Sequence, residues 1–201
     1  VNAGLLTLKQ AISVIMGANI GTTMTAQLIA FKLTKYILPI IALGFVFYFF
    51  SKKKTHKYLG QVVLGFGILM LGMELMGDAM SPLQNFQGFK DFMTQFSNYP
   101  LMGVGVGIIM TMLIQSSSAT IGILIALATS GLIPLEGAIP ILLGDNIGTC
   151  ITAVLASIGA NLTARRTAIG HVMFNVFGTV IFIIFMKFFI KFVYIISTVG
   201  D

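Results

Sequence analysis

The sequence predicts an all-α polytopic membrane protein, organised as inverted repeats with a re-entrant hairpin and broken transmembrane helices. Three observations support this fold class: the composition, a repeated motif, and a polar run inside an apolar segment. Of the 201 residues, 57% are hydrophobic and 9% are charged, and the mean hydropathy is +0.99. A soluble domain of this size would leave much of that apolar surface in water. The lipid bilayer is therefore the expected solvent.

Six hydrophobic units follow one another along the chain, at residues 7–31, 36–50, 58–80, 100–130, 134–160 and 168–196. A basic turn, residues 52–57, separates the second unit from the third. The polar stretch 81–99 is expected to form a surface loop or an interfacial helix. A spanning helix needs about 20 apolar residues, so the 36–50 unit is short, and we expect Lys32 and Lys35 to extend it by snorkelling.

A gapless internal repeat relates residues 4–30 to residues 131–157. Both copies carry Asn-Ile-Gly-Thr within apolar sequence, at residues 19–22 and 146–149. Glycine permits departures from helical geometry, and asparagine tolerates left-handed conformations better than most residues. Interruptions at matching positions of two halves point to the binding site of a transporter. We therefore expect a broken transmembrane helix in each copy, with glycine-mediated helix packing as the alternative.

A polar run, Gln115-Ser116-Ser117-Ser118-Ala119-Thr120, interrupts the apolar unit 100–130. Backbone groups freed by a helix break inside a bilayer must be satisfied by protein, water or a ligand. Serine hydroxyls and the free amides of a helix N-terminus can receive an anion. We interpret the unit as a re-entrant hairpin with residues 115–118 at its tip. The alternative is that these side chains join neighbouring helices.

The hairpin determines the expected topology. If it makes no net crossing, the two repeat copies cross the bilayer in opposite directions; if it spans the bilayer, they run parallel. Under the hairpin arrangement, Lys52–Lys57 and Arg165-Arg166 lie on one side. The positive-inside rule makes that side cytoplasmic.

Several polar residues lie within the apolar units. Asp145 is the only acid at either interruption, and a buried carboxylate is costly unless it is paired or functional. We favour cation binding, with titration or pairing to Arg165-Arg166 as alternatives. His171 and Asn175 are four residues apart, which favours an interhelical polar contact over a proton relay. Gly103–Gly107 favours close helix packing, because the strand–turn–helix setting of a nucleotide motif is missing.

Other function classes find no support. The sequence has no paired acids and no His or Cys/His set with catalytic or metal-ligand spacing, so we expect no enzyme and no cofactor. Its net charge is +6, but the basic residues form short clusters between apolar runs. A nucleic-acid-binding protein would present a continuous basic face instead.

Four motifs resemble those of the type II sodium-dependent phosphate cotransporter family, including its bacterial members: GANIGTT at 17–23, QSSSAT at 115–120, GDNIGT at 144–149 and ARRTAIGHVMFN at 164–175. The resemblance implies alternating-access symport of inorganic phosphate with Na⁺, the coupling ion, in the bacterial inner membrane. It implies phosphate binding by Ser117, Ser118, Asn19 and Thr22. It implies sodium binding by Gln115, Ser116, Asp145, Asn146, Thr149 and Thr152. A phosphate exporter, another oxyanion carrier and a non-transporting phosphate sensor are the alternatives.

The resemblance also divides the chain. Residues 1–50 would be the remainder of a first repeat, 51–99 the basic turn, connecting helix and polar loop, and 100–201 the second repeat. The repeat offset predicts a first QSSS segment before Val1, so we expect a longer protein. A homodimer and a C-terminal cytoplasmic regulatory domain beyond Asp201 are further expectations.

Overall fold

A computed structural model describes residues 1–30, 34–80, 82, 86–88, 91 and 99–197. Regular structure in these residues is helical, including a 3₁₀ turn at Thr34–Tyr36, and the described ranges contain no strand. The helices are, in chain order, α1 (Leu8–Ala30), α2 (Ile37–Phe50), α3 (Lys54–Met80), α4 (Pro100–Ile114), α5 (Ser117–Thr129), α6 (Leu135–Gly148), α7 (Cys150–Ala156), α8 (Leu162–Ile184) and α9 (Met186–Ile196).

Three stretches are long and apolar enough to cross a membrane: Lys54–Met76, Leu135–Ala156 and Leu162–Ile184. The second consists of α6 and α7 together, while α2, α4 and α5 are shorter apolar helices. Large hydrophobic side chains are exposed along most of the helices, as expected where the surrounding solvent is lipid. The prediction of an all-α membrane protein is confirmed.

The expected break in the first repeat copy is wrong. Helix α1 continues through Asn19-Ile20-Gly21-Thr22 without interruption. The Thr22 hydroxyl donates to the Ala18 carbonyl at 3.2 Å and the Thr23 hydroxyl to the Ile20 carbonyl at 2.6 Å. These hydroxyls therefore bond to their own helix, a common role of threonine in helices. A Cβ at Gly21 would meet no atom within 4 Å, so no neighbour forces the backbone to deviate.

The break in the second copy is a single residue, and the expected unwound segment is also wrong. Helix α6 ends at Gly148 and α7 begins at Cys150. The residue between them, Thr149, keeps near-helical angles, with φ −62° and ψ −23°. Its amide donates to the Asp145 carbonyl at 3.0 Å, so the helical path is nearly continuous.

Two further boundaries differ from expectation. Helix α3 begins at Lys54, so most of the expected basic turn is helical. Helix α8 begins at Leu162 instead of near Ala168, because the Asn161 side chain caps it by accepting from the Ala164 amide at 2.9 Å. The expected last unit is divided at Phe185 between α8 and α9. Most of the polar stretch 81–99 lies outside the described residues.

Helices α4 and α6 meet along a seam of small residues. A Cβ at Gly103 would touch the Pro140 side chain at 2.6 Å, and one at Gly107 would come within 2.9 Å of the Asp145 amide. A Cβ at Gly148 would meet the Thr111 Cβ at 2.8 Å. Small residues four apart let helix backbones approach closely in a bilayer. Contacts advance along both helices together, so α4 and α6 run parallel, and the predicted packing role of Gly103 and Gly107 is confirmed.

Helices α4 and α5 form the predicted hairpin. A turn of five residues, 130–134, joins α5 to α6, and Leu124, Ile133 and Ile141 pack in one cluster, so these two helices are antiparallel. Because α4 runs parallel to α6, α4 and α5 run in opposite directions. Gln115, at the bend, has a φ of 55°, and it is the one non-glycine residue with a positive φ among the described residues. Neither arm alone, at 15 and 13 residues, spans a bilayer core of about 30 Å.

The two repeat copies run in opposite directions, as predicted. Asn175 and Thr179 on α8 reach back to Cys150 and Leu143 in that order, so α8 is antiparallel to the α6–α7 span. The start of α1 lies beside the start of α8, where Asn161 bonds to Asn2. Further along, Asn19 approaches Asn175, so α1 and α8 are parallel.

The two basic segments share one end of the bundle. Arg165 and Arg166 lie in the first turns of α8. Ile37 and Met70 pack with Ile125, near the end of α5 that is remote from the hairpin tip. The antiparallel α2–α3 pair therefore carries Lys54 and its neighbours toward the end occupied by Arg165. The predicted same-side arrangement agrees with the structure.

The seam yields a matched pair of variants. Gly107→Ala places a methyl group against the α6 backbone and should lower the apparent unfolding temperature in detergent. Gly105→Ala, on the same helix, meets no atom within 4 Å and should leave that temperature unchanged or raise it slightly, because alanine favours helix. Equal stability of the two variants in a thermal size-exclusion assay would contradict the packing described.

Candidate functional site

Polar residues converge at the middle of the helix bundle. Asp145 lies at the midpoint of the Leu135–Ala156 span, and Asn19 lies at the midpoint of α1. Asn175 lies near the middle of α8. The tip of the α4–α5 hairpin reaches the same depth, because Thr111 contacts Asp145 and Gly148. This depth is where transporters of inverted-repeat architecture hold their substrates.

Asp145 is the charged group of this site. Its side chain is 0% exposed, and its Oδ1 atom accepts a hydrogen bond from the Thr111 hydroxyl at 2.6 Å. The other oxygen, Oδ2, is buried without a hydrogen-bond partner among the described residues. A buried carboxylate oxygen left in this state is costly unless a cation or proton joins it.

Two threonines connect Asp145 to both arms of the hairpin. Thr111 belongs to α4 and Thr120 to α5, and their hydroxyl oxygens are 3.2 Å apart. The Thr120 hydroxyl also lies 3.2 Å from the Ser116 carbonyl. The Ser116 side chain in turn caps α5 by accepting from the Ala119 amide at 3.3 Å. Asp145 and Ser116, two of the predicted sodium ligands, are thus joined through a chain of hydroxyls.

The donor set suits a small hard cation. Carboxylate, hydroxyl and carbonyl oxygens are the ligands that such ions prefer. Within the described ranges no group of three His, Cys, Asp or Glu residues could hold a metal ion, so the donors do not match a zinc or iron site. Sodium fits this chemistry.

Two of the remaining predicted sodium ligands, Thr149 and Thr152, donate to backbone carbonyls three residues earlier in the same span. Thr149 donates to the Asn146 carbonyl at 2.7 Å, and Thr152 donates to the Thr149 carbonyl at 3.2 Å. Thr152 and Gln115 are exposed, whereas Asn146 and Thr149 are half-buried. Their oxygen lone pairs remain able to accept or ligate.

The hairpin tip presents the predicted anion-binding groups. Ser117 and Ser118 are half-buried in the first turn of α5, and within the described ranges their hydroxyls have no hydrogen-bond partner. The N-terminus of this 13-residue helix carries free amides and the positive end of the helix dipole. Together these groups can bind an oxyanion.

Asn19 is bonded to α8 and shows no hydrogen bond to the hairpin tip. Its Nδ2 lies 3.5 Å from Asn175 Oδ1, while Asn175 donates to Cys150 Sγ at 3.2 Å and to the His171 carbonyl at 3.1 Å. The predicted interhelical contact is therefore confirmed for Asn175. Both ring nitrogens of His171 are buried without a partner in the described part of the chain.

Thr111 is the residue that sequence reasoning missed, and Thr120 was noticed only as part of the polar run. One signal could have found Thr111: it continues the four-residue spacing of Gly103 and Gly107. It therefore had to lie on the face of α4 that packs against α6.

An apolar groove of about 380 Å³ lies between α1, α5 and α6. Its lining is alanine, leucine and isoleucine, with Gln27 at one edge. This lining has no charged side chain and includes none of the candidate site residues, so the groove is separate from the candidate site.

Comparison with known proteins gives consistent matches. The profile of a family described as "Na+/Pi-cotransporter" matches residues 1–78 and 79–199. "Uncharacterized protein YqeW" of Bacillus subtilis (strain 168) is 34% identical over 186 residues, 92% of this chain and 60% of that protein. "Putative inorganic phosphate export protein YjbB" of Escherichia coli (strain K12) is 28% identical over 182 residues, 90% of this chain and 34% of that protein.

A mammalian relative matches a shorter stretch. "Sodium-dependent phosphate transport protein 2B" of Homo sapiens is 30% identical over 142 residues, 69% of this chain and 18% of that protein. The chain thus spans less than two thirds of the length of each of these relatives. No solved structure matches the chain.

A cation held by Asp145 should stabilise the folded protein, because a ligand that binds only the native state raises its stability. Sodium chloride should therefore raise the unfolding temperature of the purified protein more than choline chloride does. Asp145→Asn should remove this difference. Glu136→Gln, which alters the other acid of α6, should keep it. A sodium response that survives in Asp145→Asn would exclude Asp145 as the cation site.

Proposed function

Because the chain belongs to the Na+/Pi-cotransporter family, we propose that it forms part of a carrier that moves inorganic phosphate together with sodium by alternating access. One observation carries the proposal: a carboxylate at mid-span, half satisfied by Thr111, lies beside the tip of a re-entrant hairpin. The protein acts as a transporter and performs no chemistry on its substrate.

Sodium binds at Asp145 in this proposal. The unpartnered Oδ2 supplies the charged ligand, and the hydroxyl of Ser116 and the oxygens of Asn146 and Thr149 supply neutral donors. Gln115 and Thr152 are exposed, and in this proposal they join the site when it closes. Charge neutralisation of a buried carboxylate provides the driving force for binding.

Phosphate binds at the hairpin tip. Ser117 and Ser118 offer two hydroxyls and the first amides of α5, which together can satisfy several oxygens of a tetrahedral anion. Asn19 and Thr22 lie near the middle of α1, and in this proposal they complete the anion site from the other repeat copy. Their contribution requires Asn19 to exchange its contact with Asn175 for the substrate.

Coupling follows from the shared hairpin. Ser116 is linked to Asp145 through the hydroxyls of Thr120 and Thr111, and the next two residues begin the anion region, so the two sites share one turn. Moving one sodium ion inward supplies about 2.3 kcal/mol per 100 mV of membrane potential. That energy drives phosphate only when both ions occupy the same closed state.

The basic end of the bundle faces the cytoplasm in this proposal. Lys54, Arg165 and their neighbours lie at one end, and cytoplasmic loops of membrane proteins are rich in such residues. The bacterial inner membrane is the proposed location. Inward and outward transport are both compatible with this orientation, because net direction depends on the gradients.

Export is the second candidate function, since the Escherichia coli relative is named as a putative phosphate exporter. Membrane vesicles containing the full reading frame that encodes this chain distinguish the two. Symport predicts radiolabelled phosphate uptake that reverses when the sodium gradient is reversed. Sodium-independent efflux would favour export without coupling, and no phosphate movement in either direction would favour a sensing module.

The anion site can be tested with paired serine variants. The double variant Ser117→Ala, Ser118→Ala should reduce phosphate transport at least about tenfold, because two hydrogen bonds to a charged ligand are lost. Ser130→Ala, at the opposite end of the same helix, should transport phosphate normally. Unchanged transport in a correctly folded double variant would contradict the proposed anion site.

A further inference from the structure

We propose that Thr111 and Thr120 form a hydroxyl relay that sets the affinity of Asp145 for its cation and transmits its occupancy to the hairpin tip. This inference rests on the proposed cation site at Asp145. Both threonines act as positioning residues: Thr111 through the carboxylate, and Thr120 through the Ser116 peptide.

Burial shows that these hydroxyls have no alternative partners in solvent. Thr111 is 1% exposed and Thr120 is 0% exposed. Thr111 is also fixed in place by the glycine seam, because its Cβ lies against Gly148. Inside a bilayer, buried hydroxyls must bond to protein or ligand. The geometry therefore ties both side chains to Asp145 and Ser116.

Each hydroxyl has one proton, and this limits the arrangements of the relay. The Thr111 hydroxyl donates its proton to Asp145, because the 2.6 Å contact is to a carboxylate oxygen and an ionised carboxylate can only accept. The Thr120 hydroxyl can then donate its one proton to either of two acceptors. The Thr111 oxygen and the Ser116 carbonyl both lie 3.2 Å from it. Because the two distances are equal, small electrostatic changes can determine which oxygen accepts the Thr120 proton.

The charge of Asp145 determines which acceptor the Thr120 hydroxyl uses. When the carboxylate is anionic and empty, it polarises the Thr111 hydroxyl, whose oxygen becomes a better acceptor for the Thr120 proton. When a cation neutralises the carboxylate, this polarisation weakens and the Thr120 hydroxyl donates to the Ser116 carbonyl instead.

This change of acceptor alters the hydrogen bonding at the hairpin tip. The Ser116 carbonyl already accepts from the Thr120 amide at 3.1 Å, and the hydroxyl adds a second bond to the same oxygen at the N-terminus of α5. The cation-bound state therefore holds Ser116 more firmly, and with it the first turn of α5. Ser117 and Ser118 follow in that turn, so anion binding is linked to cation occupancy by one proton.

Two pairs of variants in the full reading frame test the relay. Thr111→Val keeps the β-branched shape but removes the hydroxyl, and it should raise the sodium concentration needed for half-maximal thermal stabilisation about tenfold. Thr120→Val should leave that concentration within about threefold of wild type. It should instead make the half-saturating phosphate concentration in transport insensitive to sodium.

Conservative variants separate chemistry from packing. Thr111→Ser and Thr120→Ser retain the hydroxyls and should behave as wild type within about twofold. Thr129→Val, which removes a hydroxyl bonded to the Ile125 carbonyl at the far end of α5, should change neither readout. If Thr111→Val does not fold, Thr111→Ala removes the same hydroxyl with a smaller side chain and replaces it in the test.

The outcomes distinguish this inference from the proposed function. A sodium response that persists in Asp145→Asn overturns the cation site itself. Loss of that response in Asp145→Asn, together with wild-type behaviour of folded Thr111→Val and Thr120→Val, overturns only the relay. Serine variants as impaired as the valine variants would likewise overturn it, by assigning the effect to packing.

Discussion

The close approach of α4 and α6 assembles the candidate site. Lipid offers no hydrophobic force between helices, so their association relies on backbone proximity and on polar contacts. Gly103 and Gly107 let α4 lie against α6 in parallel register. One helical turn beyond Gly107, this register brings Thr111 to Asp145. Any displacement along the seam would separate the hydroxyl from the carboxylate.

The buried carboxylate gives this packing its functional consequence. Thr111 satisfies one oxygen of Asp145 and leaves the other without a partner in the described chain. A fully paired aspartate would be a structural element, and an unpaired one would favour protonation. A half-paired aspartate at mid-span is held by one oxygen and keeps vacant lone pairs on the other. It can therefore respond to a cation while remaining fixed in position.

The sequence predicted the architecture better than the details of the site. The repeat and the polar run at 115–120 predicted the hairpin tip and the opposite directions of the two copies. The break expected at Asn19–Thr22 was wrong, because the presence of asparagine, glycine and threonine permits a break without enforcing one. Thr22 bonds to its own helix instead. The spacing of Gly103, Gly107 and Thr111 places Thr111 on the packed face of α4, but its contact with Asp145 depends on the register between two helices and could not be predicted from the sequence.

The most direct test of this account is the distance between Leu101, near the start of α4, and Ala128, near the end of α5. Both positions are exposed, so spin labels can be attached and measured by pulsed electron resonance. If α4 and α5 form a hairpin whose arms both pack against α6, the two positions lie about 20 Å apart or less, which is twice the distance between neighbouring helix axes. One continuous rod through Gln115 and Ser116 would place the same positions about 40 Å apart, and that result would contradict the re-entrant tip.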